Sequence, residues 1–285
     1  MKILVTGFNG QLGYDVVKVL EQRNIPCRGV DIADFDITDA HAVSNYLNDY
    51  APSAVIHCAA YTAVDRAEED VERCTAINVD GTRNIALACK QLGAKMIYIS
   101  TDYVFTGEGD TPYEVDDATE PQSVYGKTKL EGEQVVQKLL VTWFVVRISW
   151  VFGKNGNNFI KTMLRLGKER DEVNVVCDQI GSPTYTADLA PLLCDMVNTE
   201  KYGTYHATNE GFCSWAEFTQ EIFRLAGYIT KVKPIPTSEY PTRAKRPLNS
   251  RLSKKNLDEA GFKRLPVWQS ALKNYIDEIE VKNLR

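Results

Sequence analysis

The sequence predicts an α/β fold, a doubly wound parallel (Rossmann-like) sheet followed by a smaller α/β lobe, on three observations. Short apolar, β-branched runs alternate with amphipathic helical stretches up to about residue 150. A glycine turn, Gly7-x-x-Gly10-x-x-Gly13, lies directly between the first predicted strand and the first predicted helix. A Tyr-x-x-x-Lys pair, Tyr125 and Lys129, opens the helix that follows Thr101.

Taken in order, the predicted strands are Lys2 to Thr6, Cys27 to Asp31, Ala54 to Cys58, Lys95 to Ser100 and Trp143 to Ile148. They read as almost wholly apolar, which strands buried on both faces must be. Helices fill the gaps: a long one from Asp70 to Leu92 with Gly81 inside, and one from Gly126 to Leu140 whose first turn carries Lys129. After Trp150 the pattern loosens. Strand-like pieces (Val173 to Cys177, Tyr205 to Thr208, Val232 to Ile235) alternate with helices, one starting at the capping box Ser214-Trp215-Ala216-Glu217 and another following Pro266. Pro234, Pro236, Pro241 and Pro247 mark an irregular stretch around Tyr240 to Ser250. The expected division is residues 1–150 as a dinucleotide-binding domain and 151–285 mainly as a substrate-binding lobe whose segments interleave with the first.

Composition narrows the partner. Hydrophobic residues at 44% and charged residues at 25% are those of an ordinary globular chain. No apolar run approaches the roughly 20 residues of a membrane span, and the N-terminus enters a strand pattern without the shape of a secretory signal, so the cytoplasm is the expected compartment. Seven cysteines are an odd number, scattered, and never form Cys-x-x-Cys, which argues against structural zinc or a disulfide framework. A net charge of -5 without a Lys/Arg cluster argues against a nucleic-acid surface. The expected partner is a small molecule, with no nucleic acid and no membrane.

The glycine turn is placed to let a pyrophosphate approach backbone N–H groups at a helix N-terminus. Gly7, Gly10 and Gly13 are therefore candidate cofactor residues. Asp31, at the end of the second strand, is placed to accept from an adenosine ribose hydroxyl, or to cap the turn before Phe35. Its charge disfavours a 2'-phosphate and leans toward NADH. Asp36 and Ile37 line an adenine pocket or cap the helix starting near Asp39.

Thr101 follows the apolar run Met96 to Ser100, at the carboxyl end of a central strand where open α/β sheets place ligands. Tyr125 and Lys129, four apart, share a helix face, so the ammonium can favour the phenolate. Thr101 then hydrogen-bonds the substrate oxygen. The pattern alone is weak, since chance predicts about one Tyr-x-x-x-Lys in such a chain. Tyr14 and Lys18 form a second one, in the first helix, where a packed ring and a surface lysine suffice. His57 and His206 read as structural. Glu68-Glu69-Asp70, just ahead of the long helix, suits the helix dipole rather than acid–base work. Arg246 is a candidate diphosphate contact, because a guanidinium matches phosphate bidentately, or else a surface arginine.

Thr6-Gly7-x-x-Gly10-x-x-Gly13, Ser100-Thr101-Asp102-Tyr103-Val104-Phe105 and Tyr125-Gly126-Lys127-Thr128-Lys129 resemble the extended short-chain dehydrogenase/reductase superfamily. Within it, Ala59-Ala60-Tyr61-Thr62-Ala63-Val64-Asp65, Ser149-Trp150-Val151, Gly156-Asn157-Asn158-Phe159 and Arg246-Pro247-x-Asn249-Ser250-Arg251 resemble the dTDP-4-dehydrorhamnose reductase family along nearly the whole chain. The resemblance implies an oxidoreductase that uses NADPH or NADH to reduce the C4 keto group of dTDP-4-dehydro-β-L-rhamnose to dTDP-β-L-rhamnose, the last step of dTDP-L-rhamnose synthesis. It implies that Tyr125 gives the proton, that Lys129 binds the nicotinamide ribose and tunes Tyr125, and that Thr101, Asp102 and Trp150 meet the sugar. Gly10, Gln11, Leu12, Asp31, Asp36, Ile37, Ala60, Tyr61 and Thr62 would line the dinucleotide. The metal-bridging glutamates of some relatives fall on Asp15 and Ala187; Ala187 cannot ligate, so no metal is expected, and the chain is expected to be a monomer or weak homodimer. Two alternatives stand beside it: a nucleotide-sugar epimerase that retains NAD, open from the chemistry alone, and a non-catalytic regulatory subunit resembling the methionine adenosyltransferase beta subunit, which shares this fold and much of these motifs. A dehydratase would need Asp-Glu after the threonine, and here Asp102 is followed by Tyr103.

Overall fold

The computed structural model describes residues 1–279. The first part runs β1 (Ile3–Thr6), α1 (Gln11–Gln22), β2 (Cys27–Val30), α2 (Ala40–Tyr50), β3 (Ala54–His57), α3 (Val64–Ala67), α4 (Val71–Thr75), a π-helical segment (Ala76–Gly81), α5 (Thr82–Leu92), β4 (Lys95–Thr101), α6 (Val124–Leu139) and β5 (Trp143–Ile148). There follow β6 (Val151–Phe152), α7 (Phe159–Glu169), β7 (Glu172–Val176), β8 (Ile180–Gly181), β9 (Thr184–Tyr185), α8 (Thr186–Val197) and β10 (Gly203–His206). The chain ends with β11 (Cys213–Ser214), α9 (Trp215–Ala226), β12 (Lys231–Ile235), β13 (Asn249–Ser250), α10 (Lys255–Glu259) and α11 (Trp268–Glu278). No helix among the described residues is long and apolar enough to cross a membrane.

Six parallel strands form the main sheet in the order β10-β5-β4-β3-β1-β2. Because strand side chains alternate, Ile3, Val5, Ile56, Ile97 and Val146 pack on one face with α1 and α8, and Leu4, Val55, Met96, Tyr98 and Val145 pack on the other with α2, α5 and α6. Residues 186–206 thus return from the second half of the chain to this sheet, α8 covering a face and β10 extending an edge. The doubly wound α/β class is as the sequence predicts. β2 departs from the expectation of strands buried on both faces: it is the other edge, Arg28 is exposed, and its guanidinium lies 4.6 Å over the Tyr50 ring.

The predicted 70–92 helix is continuous but changes pitch. Its Ala76–Gly81 turn is π-helical, which brings Asn78 against α6, where Asn78 Nδ2 donates to Thr128 Oγ1 at 3.1 Å. Two glycines make that packing fit: a Cβ on Gly81 would lie 2.7 Å from Ile37 Cγ1, and one on Gly132 would lie 2.2 Å from the Tyr98 hydroxyl. Asp70, at the N-cap of α4, makes no side-chain cap bond. Instead Glu68 Oε1 accepts from Val124 N at 2.9 Å, capping α6, Glu69 pairs with Arg243 at 2.6 Å, and Asp70 accepts from the Tyr61 hydroxyl at 3.3 Å.

The smaller lobe has its own apolar core, in which Phe152, Phe218, Trp268 and Tyr275 pack with residues of α7, β7, α9 and α11. β7 and β12 pair in parallel beside it. The capping box at Ser214 and Glu217 forms as the sequence predicts, both halves present. The 240–250 stretch is irregular up to β13.

One buried ion pair joins α6 to β5. Arg147 Nε and Nη2 donate to the two Glu133 oxygens at 2.9 and 2.8 Å, and Nη1 donates to Val115 O at 3.0 Å. Both residues are under 5% exposed. A charge left alone there has no water to turn to, so Arg147→Met should lower stability by about 3–5 kcal/mol, while Glu133→Leu combined with Arg147→Met recovers most of the loss. Denaturant melts of the three chains check this; equal losses in the single and double variants would contradict it.

Candidate active site

Strand order reverses between β1 and β3, so the loops leaving their carboxyl ends part and leave a crevice. A cavity of about 840 Å³ occupies it. One wall is the glycine turn. Gly7 has φ +69°, and a Cβ there would sit 2.7 Å from Ala59 N; a Cβ on Gly13 would sit 2.3 Å from Gly7 O. Only glycine allows both approaches. Gly10 caps α1 without a side chain, so the first N–H groups of α1 border the cavity without a side-chain cap. That cradle and crevice fit a dinucleotide pyrophosphate.

Gly7, Gly10, Gln11, Leu12, Gly13, Asp31, Asp36, Ile37, Ala60 and Thr62 all line this cavity. Asp31 braces the turn before Phe35 and lines the cavity. Its Oδ2 accepts from Asn9 N at 3.0 Å and its carbonyl from Asp34 N at 2.8 Å, bracing the turn, while the residue lines the cavity. Asp36 Oδ1 accepts from Thr38 N and Oγ1, each at 2.8 Å, and the cap of α2 is Asp39. Tyr61 does not line the cavity: its N–H donates to Asn78 Oδ1 at 2.8 Å and its hydroxyl points to Asp70.

The candidate reactive residues share the same cavity. Thr101, Asp102, Tyr125, Lys129 and Trp150 line it together. The Thr101 hydroxyl donates to Asp102 Oδ1 at 3.0 Å and accepts from Tyr103 N at 3.2 Å. Burial raises the Tyr125 phenol above its ordinary range, with a hydrogen bond to Thr101 opposing it. Burial likewise pushes the Asp102 carboxyl up to about 6, opposed by hydrogen bonds from Ser250 and Thr101.

Lys129 is not the solvated charge that an ordinary helix lysine would be: it is 3% exposed. Its Nζ lies 4.1 Å over the face of Tyr98, whose hydroxyl donates to Lys129 O at 3.2 Å. Besides burial, the groups that bear most on the Tyr125 phenol are Thr101, Asp102, Tyr103 and Cys74. Burial lowers Lys129 to about 7, with Glu133 one turn along the helix opposing. Tyr14 and Lys18 behave as the contrast requires: Tyr14 stacks on Phe8 at the surface and Lys18 pairs with Glu278 at 3.4 Å.

Trp150 holds φ +51°, unusual for a bulky side chain, and its indole stacks on Trp215 at 3.7 Å. Arg246 stands apart. It lines a second cavity of about 1150 Å³ in the smaller lobe, which meets the first at Tyr103 and Trp150. Tyr103 is the residue that the sequence motif contained without marking: it packs edge-on against Tyr125 with centroids 5.5 Å apart, and Arg246 Nη1 donates to its hydroxyl at 3.0 Å. Asn158 is a second: its Nδ2 donates to Gln11 Oε1 at 3.1 Å and to Gly153 O at 2.9 Å, tying the smaller lobe to the first helix.

The histidines are structural. Thr6 Oγ1 accepts from Ala59 N and bonds His57 Nδ1 at 2.7 Å, and Thr82 Oγ1 donates to Asn78 O, so His57 carries its proton on Nε2 toward Thr82. Burial lowers both His57 and His206 to about 3. Asp15 is buried and accepts from the Thr186 hydroxyl, and Ala187 packs against the core of the smaller lobe. Among the described residues no group of three or more His, Cys, Asp or Glu could hold a metal ion.

Residues 1–281 match the family described as RmlD substrate binding domain. The chain is 46% identical to a dTDP-4-dehydrorhamnose reductase structure from Clostridium acetobutylicum, with a TM-score of 0.96 over 98% of this chain and all of that one. It is 43% identical to the dTDP-4-dehydrorhamnose reductase of Bacillus anthracis solved in complex with NADP, with a TM-score of 0.95 over 98% and 100% of the two chains. It is also 39% identical to the spore coat polysaccharide biosynthesis protein SpsK of Bacillus subtilis, over 97% of each.

The buried ammonium gives a pH signature. Its folded pKa is lowered, so between about 7 and the ordinary lysine value of 10.5 the unfolded chain binds the extra proton and stability rises with pH. Below about 7 the folded chain bears the full cost of a buried charge. Lys129→Met should therefore stabilise the ligand-free protein by a few kcal/mol at pH 6, with the gain fading toward pH 10. Thermal melts of both chains across that range check it; a gain that is flat with pH would contradict it.

Proposed function

The chain belongs to the RmlD substrate binding domain family, and we propose that it reduces the C4 keto group of dTDP-4-dehydro-β-L-rhamnose to the alcohol of dTDP-β-L-rhamnose with NADPH or NADH. It is an NAD(P)H-dependent oxidoreductase. The observation that carries the reading is the single cavity that joins the glycine turn to Thr101, Tyr125 and Lys129. The named activity of relatives 43 and 46% identical over nearly the whole chain supports the reductase over an epimerase or a regulatory subunit.

When bound, the reduced nicotinamide supplies the hydride that C4 takes up. The chain's own residues manage the proton and the geometry. Thr101, at the end of β4, donates its hydroxyl proton to the carbonyl oxygen in place of Asp102 Oδ1. Tyr125, kept protonated by burial, gives its proton to that oxygen as negative charge develops on it, so the carbonyl gains one hydride and one proton. Lys129 would hold the nicotinamide ribose, where its charge would ease the loss of the Tyr125 proton. Gly7, Gly10 and Gly13 admit the pyrophosphate to the α1 N-terminus, and Asp31 accepts from the adenosine ribose. Asp102 and Trp150 contact the sugar. Arg246 in the second cavity binds the diphosphate, so the nucleotide lies in the smaller lobe while the keto sugar reaches past Tyr103 and Trp150.

Oxidation of NADPH or NADH, followed by absorbance with substrate generated in place by the preceding pathway enzymes, tests the activity. Substrate-dependent oxidation indifferent to EDTA is expected, because Ala187 offers no metal ligand. Tyr125→Phe should lower turnover by roughly 10²-fold or more while leaving the dissociation constant for the dinucleotide within about twofold. Unchanged turnover would remove Tyr125 from the mechanism; silence of the wild-type chain with both cofactors would remove the activity.

A further inference from the structure

Between residues 60 and 65 one short segment borders both cavities. Ala60, Thr62 and Val64 line the cavity of the glycine turn, whereas Asp65, the next residue, lines the second cavity beside Arg246. Asp65 uses both carboxylate oxygens on the irregular stretch that faces it. Oδ1 accepts from Ala244 N at 3.2 Å, and Oδ2 accepts from Arg246 Nη2 as an ion pair. Arg246 is held a second time through Nη1 by the Tyr103 hydroxyl. Beside this, Glu69 pairs with Arg243 of the same stretch at 2.6 Å.

From this geometry we infer that Asp65 is a positioning residue: it fixes the Arg246 guanidinium in the orientation that receives the diphosphate of the nucleotide sugar. The inference rests on the reading of Arg246 given above and adds what prepares it. A guanidinium has five N–H donors in a fixed plane. With one nitrogen on Asp65 and another on Tyr103, the plane is set before a ligand arrives. A free arginine side chain would have to give up its rotamer freedom on binding, and that loss is avoided here. The Asp65 charge also opposes the diphosphate. However, the Asp65 side chain is 41% exposed and that of Arg246 is 25% exposed, so water screens the repulsion while the fixed geometry remains. Positioning is the larger effect.

The test uses the full chain, with dTDP as a binding probe and the keto sugar as substrate. Asp65→Ala should raise the dTDP dissociation constant and the KM for the sugar nucleotide about 5-fold, the factor expected for ordering one long side chain. The kcat should stay within about twofold, and so should the dissociation constant for NADPH, since the Asp65 side chain faces the other cavity. Arg246→Ala should weaken dTDP further, and in that background Asp65→Ala should add nothing. Additive effects, or tighter dTDP binding in Asp65→Ala, would overturn the inference while leaving Arg246 as a diphosphate ligand. An Arg246→Ala chain that binds dTDP as tightly as wild type would instead overturn the reading of Arg246 itself. Where Asp65→Ala does not fold, Asp65→Asn, which keeps an acceptor for Ala244 N–H, gives the same comparison.

Discussion

The packing beside the first cavity is organised around one lysine ammonium kept out of water. Lys129 is buried in the middle of α6, and the chain arranges its neighbours to make that tolerable. The ring face of Tyr98 lies under the charge, and Glu133 stands one helical turn beyond, held in place by Arg147. Gly132 lets the Tyr98 hydroxyl and Asn78 O approach α6 where any Cβ would collide. The π-helical turn then presents Asn78 to Thr128. Several features that look unrelated in sequence, a glycine in a helix, a pitch change and a buried ion pair, support the same few atoms.

The rest of the site follows from sheet topology. Parallel strands deliver their carboxyl ends to one rim, and the reversal between β1 and β3 opens it. The glycine turn, Asp31 and Thr101 all come from strand ends there, so their convergence needs only the fold. The second cavity is different: it is built by the smaller lobe, and its link to the first runs through Tyr103 and Trp150. Trp150 keeps an uncommon backbone conformation to make that link, held by its stack on Trp215.

Much of this was legible in the sequence because the signals were local. Apolar runs gave the five leading strands to within a residue or two, the capping box gave the start of α9, and the strand–glycine–helix context gave the turn that walls the first cavity. What was not legible depends on distant pairing. The two-residue strands β6, β8, β9, β11 and β13 have no periodicity to detect, and β10 joins the first sheet only because α8 carries the chain back. Arg28 shows why β2 is an edge, but the pattern of apolar neighbours hid it. Tyr61 shares a motif with Ala60 and Thr62, yet its contacts are set by Asn78 from a helix that sequence reasoning treated as regular. The resting place of Lys129 over Tyr98 joins a strand to a helix, and spacing within one helix could not reveal it.

The account stands or falls on a direct transfer to the sugar inside the first cavity, and isotope placement tests that most directly. With NADPH deuterated at both C4 positions of its nicotinamide and dTDP-4-dehydro-β-L-rhamnose, the account predicts one deuterium at C4 of the product rhamnose. Label lost to solvent, or found at any other carbon, would contradict it.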